Sequence, residues 1–391
     1  MTAQKPRMNS RQRVTLALNH HEPDRVPFDL TFGYAAYKNL ESYLDYHPVN
    51  EVLPSAPGLT VSPPLEILQE LGVDLIHIGL GSAKDTKPFE YGIDCYTDEW
   101  GITYQKIEGG RSISYEPLDF PLRDARIKDL DDYPWLDPYD QSRVLGLEEK
   151  LHNLYKNTEF AIVGRFSTSI FEQAFMLRGY EQFLVDIALN PEFACALLDK
   201  TTEIAMGMLT AGLTAGGKYI QILRLAGDDM GHQTGTILSP RTFRSIIKPR
   251  FERVYKHAKS LLKSLNPDCK LMAHTDGDVY SIILDYIELG LDVLNPVQPG
   301  VTHMEHERLK REFGDRLCFH AGIDIQHVMP FGSSDDVRLH AVCTMRKLGT
   351  GGGYILSPTH YLQADVPAQN IIALCQAVNE EGWYPFTLRN S

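Results

Sequence analysis

The segment KLMAHTDGDV, starting at Lys270, is an apolar run that stops at His274-Thr275-Asp276-Gly277, so an imidazole and a carboxylate stand two residues apart at its end. On extended backbone such a pair leaves the chain on the same side. Both can therefore face one cavity. A second imidazole, His360, follows another apolar run in Ser357-Pro358-Thr359-His360. His274, Asp276 and His360 together make a His/Asp/His donor set for a divalent cation, with an open fourth position. Without a cation the same three groups are acid/base or hydrogen-bonding residues.

Other runs end in groups of the same kind. Gly227-Asp228-Asp229-Met230-Gly231 carries two carboxylates. Adjacent strand residues point to opposite faces, so one of Asp228 and Asp229 looks toward the His274 cavity as ligand, support or general base, and the other caps the following turn. Asn295 and Gln298, in Asn295-Pro296-Val297-Gln298, offer amides to orient a polar substrate, and a further run brings His320, Gly322, Asp324 and Gln326. Arg165 and Arg224 lie near two more run ends. They can hold a substrate carboxylate or form structural salt bridges with these aspartates.

The elements that position these groups follow from the runs. VPFDLTFG from Val26, VDLIHIGL from Val73, FAIVGRF from Phe160, YIQILRLAGDD from Tyr219, KLMAHTDGD from Lys270, LDVLNPVQ from Leu291, LCFHAGID from Leu317 and GGYILSP from Gly352 are mostly continuous apolar segments, as strands buried on both faces should be. Helix-like stretches separate several of them. The pattern predicts one α/β domain over residues 1–391, an (α/β)8 TIM barrel whose chemistry sits at the strand C-termini. Asn9 or Ser10 caps a first helix running to about His20, Ser239-Pro240 opens another reaching about Leu262, and Pro367 sits near the first turn of the last. Residues 81–159, rich in Pro, Tyr and Asp, form an insertion over the barrel mouth, either lid or docking surface or plain decoration. YTDEWGITYQKI and GGRSISYEPL within it read as a hairpin turning at Gly109-Gly110.

Composition narrows the function. A net charge of −13 argues against a nucleic-acid partner, which needs a basic footprint. No apolar run nears the roughly 20 residues that span a bilayer, and no apolar leader follows the N-terminal charges, so neither membrane nor export is expected and the location is cytoplasmic. Six cysteines without CxxC spacing suggest buried thiols rather than a disulfide framework.

The motifs RQRVTLALNHHEPDRVPF, GDDMGHQTGTILSPRTFRSIIKPRF, AHTDGDV, LGLDVLNPVQPG, FHAGIDIQHVMP and GGGYILSPTHYLQADVPAQNI resemble the uroporphyrinogen decarboxylase superfamily, in its order and from first helix to last. That resemblance implies a single barrel holding either a decarboxylase or a zinc-dependent, cobalamin-linked methyltransferase. The decarboxylases carry arginines just after the first strand. Here that region reads Asp29-Leu30-Thr31-Phe32-Gly33-Tyr34, and no arginine lies between Arg25 and Arg111. The methyltransferase branch resembles the chain better. Its coenzyme M members place His-x-Cys and a later cysteine as zinc ligands where this chain has His274, Asp276 and His360. Replacing two thiolates by Asp and His leaves about one net positive charge on a zinc site, a stronger Lewis acid suited to expelling an oxygen leaving group. The resemblance thus implies transfer of a methyl group from a small, possibly methoxyaromatic donor to cobalamin carried by a partner corrinoid protein, as in an O-demethylase. Asp228 or Asp229 would handle protons, Asn295 and Gln298 would position substrate, and Asp324 would support the site. A homodimer is compatible. The alternatives are a metal-independent decarboxylase or lyase, and a non-catalytic binding subunit.

Overall fold

The computed structural model describes residues 7–109 and 112–386. Seven parallel strands follow one another around a curled sheet in sequence order: Leu75–Gly79, Ala161–Arg165, Ile222–Gly227, Lys270–His274, Val293–Asn295, Cys318–His320 and Tyr354–Ile355. The extended segment 26–30 closes the ring. Phe28 bridges Leu356 in parallel, Asp29 N–H donates to Leu356 O, and Asp74 N–H donates to Phe28 O on the other side. An (α/β)8 barrel results, with helices outside.

Inside the ring the strands do alternate, although their outward faces are also buried. Leu75, Ala161, Val163, Ile222, Met272, Val293, Cys318 and Ile355 form one apolar cluster with Val14 and Leu18 of the first helix, Ser10–Leu18. That helix stoppers the N-terminal end of the barrel. Asn9 caps it as expected, accepting from Gln12 N–H at 2.8 Å while the Gln12 side chain accepts from Asn9 N–H at 3.2 Å. Arg13 then anchors it, pairing with Asp24 at 2.7 Å and Asp74 at 2.6 Å, and Arg25 reaches Asp74 at 2.9 Å. All four side chains are buried, so the RQR…DR motif serves closure of the barrel base.

The insertion after the second run holds a three-stranded antiparallel sheet, Cys95–Thr97, Thr103–Gly109 and Ser112–Asp119, with Gly109 facing Ser112. The expected hairpin is present, but Gly110 of its expected turn lies outside the described residues. Arg143 fastens this region through a 2.6 Å pair with Glu99. The charge of Glu116 is felt by Tyr361, whose ring stacks 4.1 Å from His360, so the sheet borders the C-terminal rim. The helix expected from Pro240 includes a π-turn at Phe243–Ile247 before continuing as Lys248–Leu265. No helix among the described residues is long and apolar enough to cross a membrane.

Candidate metal centre

Two residues beyond six members of the apolar layer stands a long polar side chain. Leu75 is followed by His77, Val163 by Arg165, Ile222 by Arg224, Met272 by His274, Val293 by Asn295 and Cys318 by His320. With a period of two, these side chains project into the barrel one layer nearer the mouth. Asp29 joins them from the closing segment.

Hydrogen bonds thread this polar layer. His77 Nε2 and His320 Nε2 both lie against Asp29 Oδ2, at 2.9 and 3.0 Å. Asn295 Nδ2 is 2.7 Å from His320 Nδ1, and Asn295 Oδ1 is 2.6 Å from His274 Nδ1. The carboxylate sets the direction of the whole chain. Asp29 accepts only, so His320 carries its proton on Nε2 and presents a lone pair at Nδ1; the Asn295 NH2 group must then face His320, and its oxygen must face His274. His274 is thereby protonated at Nδ1, and its Nε2 lone pair is free at the mouth. Against the cost of burial, the imidazoles of His77 and His320 hold the Asp29 carboxyl well below the usual carboxylate range.

At that lone pair the rim closes in. One donor atom each from His274, Asp276 and His360 lie within 4.8 Å of one another. His274 Nε2 is 3.9 Å from Asp276 Oδ2 and 4.0 Å from Asp229 Oδ1, and Asp229 Oδ1 accepts the Asp276 N–H at 2.8 Å. The glycines of the HTDG and DDMG motifs permit this convergence. Gly277 has φ +81°, and a Cβ there would come within 2.4 Å of the Gly231 carbonyl carbon. Burial, then the Arg224 charge, pushes His274 well below the ordinary imidazole range. His360 is lowered by burial as well. Burial and the neighbouring Asp229 push Asp276 up to about 7. Two neutral imidazoles and a carboxylate short of counter-charge are the protonation states that a divalent cation takes up, so the donor set fits such an ion.

The remaining expected residues are placed differently. Asp228 and Asp229 diverge, as strand alternation predicts. Asp229 faces the rim, whereas buried Asp228 accepts the backbone N–H groups of Ile170, Phe171 and Glu172 at 2.6–3.1 Å. Asp228 thus caps the helix Phe171–Arg178 and does not join the cluster. Asn295 spends its amide on the two histidines and positions His274 rather than a substrate. His320 does likewise. Asp324 accepts from Gln326 N–H at 2.7 Å and His327 N–H at 2.9 Å, shaping a local turn instead of supporting the triad. Gln298 is half-buried beyond the strand Val293–Asn295 with no hydrogen bond to the cluster. Arg165 and Arg224 make no salt bridge with the aspartates, contrary to the structural pairing considered from sequence. Sequence reasoning missed His77, which the period-two register after Leu75 would have revealed, and Asp29, which only barrel closure brings into the layer. It also missed Glu172, raised to about 7 by burial and by Asp229, which carried no motif signal.

A parallel barrel with its ionisable groups on the C-terminal rim and a metal-suited His/Asp/His cluster defines the class of the protein. The family model for uroporphyrinogen decarboxylase (URO-D) matches residues 90–381, and the chain belongs to that family. Among solved structures it is similar to a methyltransferase from Methanosarcina mazei, with a TM-score of 0.65, 18% identity and coverage of 96% of this chain and 99% of that one. A weaker likeness, to the Ignisphaera aggregans GH53 catalytic domain, has a TM-score of 0.40 and 12% identity over 90% of this chain and 97% of that one, and carries no argument. No curated protein matches the chain in sequence.

Proposed function

We propose that this chain is a methyltransferase that takes a methyl group from a small methoxy donor and delivers it to a corrinoid protein, using a divalent cation, zinc by preference, at His274, Asp276 and His360. The observation that carries the reading is the convergence of those three donors within 4.8 Å at the end of a hydrogen-bond chain that leaves His274 Nε2 unprotonated. The similarity to the M. mazei methyltransferase supports it.

A cation bound there would supply Lewis acidity toward the ether oxygen of the donor. The protein's own residues do the rest. Asn295 fixes the His274 ring and its tautomer, and Asp229 holds the backbone of Asp276 in place. Glu172, poised near neutrality, is a suitable proton source for a phenolate or alkoxide leaving the rim. Tyr361, stacked on His360, walls the site on the side of the 81–159 insertion, which is the natural docking face for a corrinoid domain.

One observation favours a second reading. Asp276 and Glu172, each pushed up to about 7, are two carboxyl groups able to hold a proton near neutrality without a cation, as a lyase would use. Elemental analysis separates the two. About one zinc per wild-type chain, absent from the His274→Ala, Asp276→Ala double variant, is expected, together with zinc-dependent methylation of reduced corrinoid protein followed optically. A wild-type protein that refuses zinc overturns the methyltransferase mechanism in favour of the lyase.

A further inference from the structure

Arg165 and Arg224 stand apart from the other enclosed arginines of the molecule. Arg13, Arg143, Arg178 and Arg250 each carry at least one ion pair with Asp or Glu and at least one backbone carbonyl. Arg165 and Arg224 have neither an ion pair nor a hydrogen bond to any described residue. They are also neighbours: the register Val163 to Ile222 and Gly164 to Leu223 sets Arg165, the last residue of its strand, beside Arg224 on the adjacent strand, both inward-facing. Arg165 keeps solvent access although protein surrounds it, as a side chain lining an open mouth does.

The arrangement holds two like charges close together with no ion-pair partner of their own. Burial, then the charge of Arg165, pushes Arg224 down to about 9. The carboxylates whose charge it feels, Asp276, Asp29 and Asp229, make no ion pair or hydrogen bond with it and have other partners. Asp29 accepts from two histidines, Asp229 accepts from the Asp276 backbone, and Asp276 belongs to the donor triad. Nor does the pair reflect a general excess of cations, since the protein carries a net charge of −13. Two guanidinium forks side by side, next to the place where the reacting group sits, match the two oxygens of a carboxylate.

We propose that Arg165 and Arg224 form the seat for a carboxylate on the methyl donor, so that the substrate of this site is a compact methoxy acid and not a neutral ether. The inference rests on the methyltransferase reading for the word donor only; the anion seat itself is a property of the two arginines. One seat of this size selects a mono-acid, in keeping with the absence of any arginine between Arg25 and Arg111.

The test is calorimetric binding to the full chain, with zinc and after chelator treatment, of 3-methoxybenzoate, 4-methoxybenzoate and methoxyacetate, each beside its amide. At least one acid is expected to bind roughly 10- to 100-fold more tightly than its amide, as loss of charge-assisted hydrogen bonds implies. The preference should survive chelation, which separates the arginines from carboxylate binding to the metal. Arg165→Gln and Arg224→Gln should each abolish most of the preference while zinc content stays that of the wild type. Arg165→Lys and Arg224→Lys, which keep the charge without the fork, should retain part of it and serve if a glutamine variant fails to fold. Acids that bind no better than amides, or a preference unchanged in the glutamine variants, overturn the proposal. Intact acid preference with no methyl transfer to corrinoid would sink the methyltransferase reading alone. Transfer from neutral ethers without acid preference would sink the anion seat alone.

Discussion

Asp29→Asn tests whether a carboxylate with no place in the metal-donor set governs that set. Asp29 Oδ2 receives His77 at 2.9 Å and His320 at 3.0 Å, and only the His320 bond feeds the chain through Asn295 to His274. Asparagine fills the same space but can either accept from or donate to His320, so the direction of every later hydrogen bond is released. A bond to a charged acceptor exceeds a neutral one by about 1–2 kcal/mol. The tautomer bias on His274 should therefore fall by roughly 5- to 30-fold, within the range of about 10- to 100-fold seen when the outer partner of a metal-binding histidine is removed. Two assays are needed. Competition against a chromophoric chelator should show zinc affinity reduced by roughly tenfold at unchanged thermal stability. Two-bond 15N–1H spectra of histidine-labelled, zinc-free protein should show His274 protonated at Nδ1 in the wild type and a mixture of tautomers in the variant. An unchanged His274 tautomer in Asp29→Asn, or a changed tautomer with undiminished zinc affinity, refutes the reasoning.

Asp228→Ala leaves three N–H groups of the Phe171 helix start without their acceptor and should lower unfolding free energy by about 2–4 kcal/mol in urea, with zinc per folded chain unaltered. Asp228→Asn, which keeps an acceptor oxygen, should lose less than half as much; lost zinc in a folded Asp228→Asn protein would restore Asp228 to the site. Glu172 contributes to the pH dependence of the zinc-free protein beside Asp276 and Asp228, which are raised as well. Its folded value, about 7, lies above the ordinary 4.5, so the folded state binds the proton more tightly than the unfolded chain and stability falls as pH rises through that window. Glu172→Gln removes the titration, and its stability advantage over wild type should grow from pH 4.5 to 7 and then level off, with an upper bound of about 3.5 kcal/mol from ~1.4 kcal/mol per unit. Urea midpoints at pH 5 and pH 8 decide the matter, and a gap that narrows with pH contradicts it.

Much of the barrel was legible because each buried strand is a short apolar run terminated by a polar residue. The triad was legible because two of its members share one strand end and the third stands at the end of the last strand. What escaped the sequence reading depends on closure. His320 and Asp29 are hydrogen-bonded across 291 positions, and nothing local to Asp29 distinguishes it from a turn aspartate. Asp228 and Asp229 were separable as a pair by strand alternation. Only the position of the Phe171 helix decides which of them turns inward to cap. The two arginines were indistinguishable from salt-bridge formers until the register showed their neighbouring aspartates already committed.

The apolar layer at the barrel's midsection has an electrical consequence. Its side chains, with Val14 and Leu18 beneath, keep water from the underside of Arg165 and Arg224. Solvent therefore screens those charges from the mouth side and not from below. The barrel base is thus an insulator, and whatever charge the two guanidinium groups and their neighbouring carboxylates leave uncompensated is felt at the mouth and nowhere else.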